Sequence, residues 1–489
     1  MTMKQRPELG RFMLGIVAAG LCAGSCLALD EGTRPAKAPE AKKQVLGYQL
    51  DVSRCKVPKQ EVLYRIVDIL ASLGYNQFQL YTEHTFAYKG HETVWKDSSP
   101  MTPEDIRALD GYCAKHGIEL VPNQNSFGHM ERWLKYPEYG DISNSPNGGG
   151  GTLNPEDPRS IALISGLYDQ LLPCFRSKYV NVGCDETGIG GGRCQEAVKA
   201  RGETQVYCDF LNKIHAEVAK RGHTMMFWGD IILRHPEFLP QLPKDVICLN
   251  WGYDAGHPFE WQTSKLEASG MRFIVCPGTS GWGSLFGRVE NMLGNINNAV
   301  EAGSRHGAEG YLLADWGDCG HPQPWIVSLP ALVYLSHRVR GENPSKAEIA
   351  AEIDNICKCK CGEGLLAYGD VYRKIGGNVG NTAEMGYALR DGRNYRRHKD
   401  VTEESIAAAF KHVEFAKSLL KLDGAPDWVK EDFALLDLLA RAVKVKLAWP
   451  DNSNWKGFRE QFEPEYRRLW LLQNRPGGLE ESLDWQFCR

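Results

Sequence analysis

Asp185 and Glu186 are the residues best placed for chemistry in this 489-residue chain. They follow Tyr179-Val180-Asn181-Val182-Gly183-Cys184, a buried-strand composition, so both carboxyls fall at the C-terminal mouth of a strand. The ordinary reading of such a pair is a surface cluster, or acids compensating a helix N-terminus. Other strand-like runs end in a related way, in Trp228-Gly229-Asp230, Trp251-Gly252-Tyr253-Asp254 and Trp316-Gly317-Asp318, with Trp282 following a further run. One such unit is explained by a tight corner. Three on one rim, with indole faces beside carboxylates, suit a sugar, whose ring has an apolar CH face and an edge of hydroxyls.

Neighbours on a strand project to opposite sides. In an unbroken strand Asp185 and Glu186 are therefore poorly placed as a nucleophile and acid standing ~5–5.5 Å apart across one glycosidic bond. A division of labour fits better. Glu186 would give a proton to the leaving oxygen, and Asp185 would hold a substrate group that acts as the nucleophile, the logic of substrate-assisted cleavage.

The elements that must carry these residues recur along the chain. Strand-like runs read Val45–Asp51, Asn76–Tyr81, Ile118–Pro122, Tyr179–Val182, Thr224–Trp228, Val246–Trp251, Arg272–Cys276 and Gly310–Ala314. Helical patterns lie between most of them. Val62, Ile66, Ile69 and Leu73 form one stripe that stops at Gly74, and Thr102-Pro103 opens another helix that ends near Gly117. Eight strand–helix repeats predict a closed (β/α)8 TIM barrel, an α/β fold, over residues 45–340. The fifth-to-sixth connection, with HPEFLPQLP, leaves little room for a full helix. An open doubly wound sheet is the alternative, but no Gly-rich phosphate loop follows the first strand. From 341 to 489 the strands stop, and apolar stripes such as Ile406, Phe410, Val413 and Leu420 predict a C-terminal α-helical domain.

Composition removes other classes. The charge of −4 gives no electrostatic reason to expect nucleic acid, and no HExxH, P-loop or EF-hand pattern supports a metal or nucleotide cofactor. Residues 1–28 read as a signal peptide: Lys4, Arg6 and Arg11, then an apolar stretch, then small residues. Export, periplasmic or extracellular, is expected, with no stable membrane span; Cys26 leaves lipoprotein attachment open. A Pro/Lys/Ala-rich linker spans 29–44. Cys184, Cys248 and Cys276 sit in apolar runs and read as small buried hydrophobes. The CKCKC of Cys357, Cys359 and Cys361 lacks zinc-ligand spacing. His84 and His129, on early rim loops, are expected to be hydrogen-bonded structural residues.

GYQLDVSR at the first strand, VGCDET at the fourth, the Trp-Gly units and the tail LWLLQNRPGGLEESL together resemble glycoside hydrolase family 20, the β-N-acetylhexosaminidases, and within it the single-domain hexosaminidase D-like branch. The resemblance implies an exo-acting enzyme that removes terminal β-linked N-acetylhexosamine from a glycan by a substrate-assisted retaining mechanism. It implies Arg54 on hydroxyls of the terminal sugar, Asp185 on the 2-acetamido group, and Glu186 as general acid and then base. Trp228, Trp251 and Trp316 would wall the pocket, Tyr253 would bond the acetamido carbonyl, and Asp318 would bind outer hydroxyls. Such an acid needs a raised Glu186 pKa. Asn181 stands where the family carries His, a change of support more than of chemistry. Another sugar specificity on the same barrel, or a silent carbohydrate-binding barrel, are the alternatives.

Overall fold

The computed structural model describes residues 44–377, 380–391, 401–448 and 455–487. The expected signal peptide, the linker up to residue 43, and Cys22 and Cys26 lie outside them. Eight parallel strands close into one barrel: β1 (Val45–Asp51), β2 (Gln77–Thr82), β3 (Glu119–Gln124), β4 (Tyr179–Asn181), β5 (Thr224–Trp228), β6 (Ile247–Trp251), β7 (Arg272–Cys276) and β8 (Gly310–Asp315). Closure comes from β1 against β8, with Val45 opposite Gly310 and Leu50 opposite Asp315.

Each strand is followed by a helix: α1 (Gln60–Ser72), α2 (Pro103–Lys115), α3 (Pro158–Leu171), α4 (Glu203–Lys220), α5 (Asp230–Arg234), α6 (Phe259–Ser269), α7 (Val289–Arg305) and α8 (Leu329–Val339). Local chemistry sets their ends. Thr102 and Asp105 form a reciprocal capping box on α2, and Gly270 ends α6 in the left-handed region. The proline-rich fifth connection holds only the five-residue α5 and a 3-10 turn over Pro236–Gln241.

Strand alternation divides the barrel interior in two. Gln49, Gln77, Gln79, Asn123 and Asn181 share the inward side of β1 to β4 with Tyr81, while Met226, Ile247, Leu249, Ile274 and Leu312 fill the β5 to β8 half. Buried amides need partners: Asn181 donates to Gln79 at 3.1 Å, and Gln79 to Gln77 at 3.0 Å. The opposite side of each strand packs on the helices and merges with the C-terminal region.

That region is helical: α9 (Lys346–Cys357), α10 (Gly362–Tyr368), α11 (Glu384–Asp391), α12 (Glu403–Ser418), α13 (Asp427–Ala448), α14 (Trp455–Gln473) and α15 (Leu479–Phe487). Asp432 of α13 joins it to the barrel, accepting from the Ile326 amide at 3.0 Å and from Gln473 of α14 at 2.7 Å. Among the described residues, no helix is long and apolar enough to cross a membrane.

Candidate active site

The C-terminal ends of the strands surround a cavity of about 90 Å³ lined by Arg54, His129, Asp185, Glu186, Trp251, Tyr253, Trp282, Trp316, Asp318 and Asn381. Seven of the eight residues expected from sequence reach it. The exception is Trp228, which is wholly buried with its ring centroid 5.8 Å from that of Trp316. As the last residue of β5 it points into the barrel and backs Trp316 from below, so it does not wall the pocket. Trp282 takes that place.

The acid pair sits where regular strand geometry fails. β4 ends at Asn181, and Gly183, Cys184 and Glu186 have φ of 68°, 72° and 48°. Left-handed backbone costs a non-glycine residue about 1–2 kcal/mol, so this turn must be held from outside. Gly183 donates to Asn181 Oδ1 at 3.0 Å, the Gly183 carbonyl accepts from Trp228 N at 3.0 Å, and the Cys184 carbonyl accepts from Tyr207 Oη at 3.0 Å. Two close approaches demand glycine: a Cβ on Gly183 would overlap Asn125 Oδ1, and one on Gly128 would lie 2.2 Å from the Asp185 carbonyl.

The turn overturns the expectation that Asp185 and Glu186 face opposite sides. Both carboxylates converge on one imidazole, with His129 Nε2 3.2 Å from Asp185 and 3.4 Å from Glu186. His129 is therefore part of the site rather than a structural rim residue. Burial alone would lower its pKa, but the charge of Asp185 outweighs this and holds it well above the ordinary histidine value. The two acids differ in setting: the Asp185 side chain is 8% exposed and that of Glu186 57%. Contact with His129 lowers the Glu186 pKa, so the resting site keeps Glu186 ionised, the reverse of the raised value expected of a general acid. Asp230 lies beside them, its pKa pushed up to about 7 by burial and by Asp185.

Arg54 enters from the β1 end. Asp51 Oδ1 accepts from the Ser53 and Arg54 amides at 2.9 and 3.0 Å, and Asp51 Oδ2 accepts from Gly317 N at 3.0 Å, tying β1 to β8. The guanidinium pairs with Asp318, lies 3.4 Å from Glu83, and sits over the Tyr81 and Trp316 rings at 5.1 and 4.9 Å. The opposite wall is aromatic. Tyr253 stacks on Trp251 at 5.1 Å, meets Trp282 edge-on at 4.9 Å, and its hydroxyl accepts from Trp316 Nε1 at 2.8 Å.

Asn381 was not legible in the sequence. It lies just before α11, 63 residues beyond Asp318, and its backbone φ of 62° is one that Asn tolerates. The histidine had a signal, Gly128-His129 at the end of the third strand, which a structural reading outweighed. Among the described residues, no group of three or more His, Cys, Asp or Glu side chains is arranged to hold a metal ion.

Residues 46–282 match the model of the glycosyl hydrolase family 20 catalytic domain. Hexosaminidase D of Bos taurus is 25% identical over 236 residues, covering 44% of this chain and 66% of that protein. Hexosaminidase D of Homo sapiens is 26% identical over 311 residues, covering 56% and 60%. The chain thus spans less than two thirds of the length of these curated relatives. The solved chitobiase of Flavobacterium johnsoniae shares the fold, with a TM-score of 0.53 at 18% identity over 90% of this chain and 70% of that one. Residues 46–282, just under half of the chain, are thus similar to the catalytic domain of glycoside hydrolase family 20.

Proposed function

We propose that the barrel is an exo-acting glycosidase that removes terminal β-linked N-acetylhexosamine, using the substrate's own acetamido group as nucleophile. The observation that carries this reading is the contrast within the acid pair: adjacent carboxyls on one cavity, Asp185 on the buried floor and Glu186 at the open rim. A floor carboxylate suits an amide N–H, which it orients and whose developing positive charge it stabilises. A rim carboxyl suits the leaving oxygen, which is directed outward, and later the water that opens the oxazoline. Tyr253 would donate to the acetamido carbonyl, and Arg54 with Asp318 would grip outer hydroxyls. Trp251, Trp282 and Trp316 would cover the apolar ring face.

Protonation of Glu186 is then linked to binding. A sugar over the rim excludes water from Glu186 and raises its pKa, while the acetamido group occupies Asp185 and loosens the shared hold of His129. The relatives bearing the names hexosaminidase D and chitobiase support the same substrate class. Cleavage outside the cytoplasm is part of the proposal; a mature N-terminus near residue 29 in exported protein is the expected finding.

The test is a set of 4-nitrophenyl β-glycosides: N-acetylglucosaminide, N-acetylgalactosaminide, glucoside and galactoside. Turnover restricted to the acetamido sugars, with the β-anomer released first, is expected. Equal turnover of glucoside overturns the assisted mechanism, and binding without turnover of any of them overturns the enzyme reading.

A further inference from the structure

Glu186 reaches the cavity only because its backbone is left-handed, and one side chain holds that backbone from outside the turn. Asp230 Oδ2 accepts from the Glu186 amide at 3.2 Å. The anchors on Gly183 and Cys184 lie before the acids, and the next one after them is Gly188 N on Thr152 Oγ1 at 3.0 Å. Without Asp230, the backbone of the strained residue would carry none of these anchors, and Glu186 would keep only its side-chain contact with His129.

Asp230 is itself firmly placed. It opens α5 directly after Trp228-Gly229, and a Cβ on Gly229 would lie 2.5 Å from Cys248 Sγ, so the strand-to-helix turn packs this tightly only with glycine. Arg234 of the same helix stands 3.6 Å from Asp230 Oδ2. The other oxygen, Oδ1, is buried and makes no hydrogen bond. An acid buried this way is costly.

We propose that Asp230 is the positioning residue of the proton donor: by accepting from the Glu186 amide it fixes the backbone that turns the Glu186 carboxyl to the same side as Asp185. Its role rests on the acid function of Glu186 proposed above. Asp230 itself touches neither sugar nor leaving group. Its near-neutral pKa means that at neutral pH much of the population serves as acceptor without adding a third full charge to the pair.

The leaving group provides the test, because a misplaced acid harms poor leaving groups most. Wild type, Asp230→Ala, Asp230→Asn and Glu186→Gln are compared on 2,4-dinitrophenyl β-N-acetylglucosaminide and on the unactivated disaccharide N,N′-diacetylchitobiose. Asp230→Ala is expected to lower kcat on the disaccharide by about 10²-fold, with KM little changed, and on the dinitrophenyl glycoside by less than about fivefold. Asp230→Asn keeps a carbonyl acceptor and is expected to restore the disaccharide rate to within about threefold of wild type. Glu186→Gln should show the same selectivity, more deeply. Equal losses on both substrates in Asp230→Ala, no loss at all, or an Asn variant as impaired as the Ala variant would overturn the role. A wild type that cleaves neither substrate overturns the acid function of Glu186 instead, and this role with it.

Discussion

The barrel buries carboxylates at two seams of its mouth, and the two are built differently. At the β8–β1 seam, Asp315 accepts from Tyr48 and Ser328 at 2.6 Å and from Thr279 at 2.8 Å, and Asp51 accepts from three backbone amides. At the β4–β5 seam, Asp185 Oδ1 and Asp230 Oδ1 are buried without a hydrogen bond. Burial raises the pKa of both Asp315 and Asp230, but only Asp315 has every oxygen engaged by the protein. Since buried polar groups are normally satisfied, the unspent capacity of Asp185, which lines the cavity, marks the place where the missing partner is a ligand, whereas Asp230 stands behind it as a support. One seam is finished scaffold. The other is completed by what binds there.

The largest expected break in this contrast is catalytic. Glu186→Gln should lower kcat by at least about 10²-fold on aryl N-acetylhexosaminides while sugar binding, measured calorimetrically, is kept. Near-normal turnover would remove Glu186 from the chemistry.

Next comes a comparison of the seams by stability. Asp315→Ala strands three buried hydroxyl donors and should cost about 3 kcal/mol in urea unfolding. Asp185→Ala should cost less than this, because it strands no hydrogen-bonded donor and His129 can lose its proton once the neighbouring charge is gone, yet it should remove acetamido-dependent turnover selectively. Equal destabilisation at the two sites would erase the distinction drawn here.

A smaller effect separates the indoles. Trp251→Ala should raise KM by about tenfold, the loss of one stacking face. Trp228→Phe should leave KM within about twofold and act on melting temperature instead, since Trp228 backs the pocket without lining it.

The smallest is a pH effect on stability. The folded pKa of His129 is raised, so its contribution is full below its unfolded value near 6.5 and fades as pH rises through the folded value. That of Glu186 is lowered, so its contribution is full above about 4.5 and fades as pH falls through the folded value. The stability difference between wild type and His129→Gln should therefore be largest between these limits. It should be about 1 kcal/mol, given the exposure of Glu186 to solvent.

Much of the fold was legible, because strand and helix periodicity is local and eight alternations leave few ways to close. The ends of β1, β5 and β7 are those read in sequence, and those of the other five strands differ by one or two residues, as hydrogen-bond pairing rather than composition sets the last residue. The site was legible where residue type sufficed: two adjacent acids, an arginine after the first strand, and the Trp-Gly units. It was misread where orientation mattered. Trp228 and Trp251 both end a strand, but they end it at different heights, so one backs the pocket and the other lines it.

Sequence by itself determined the donor set, the barrel and the side of the barrel on which chemistry sits, because each follows from neighbours within a few residues. Tertiary structure alone decided that Asp185 and Glu186 look the same way, since that depends on left-handed backbone held by Asn181 at the foot of the turn and by Tyr207 and Asp230 from two other parts of the chain. It also brought His129 between the acids and Asn381 to the rim, and it set Glu186 ionised at rest. Dihedral strain and electrostatic fields depend on groups distant in sequence, and no local pattern encodes them.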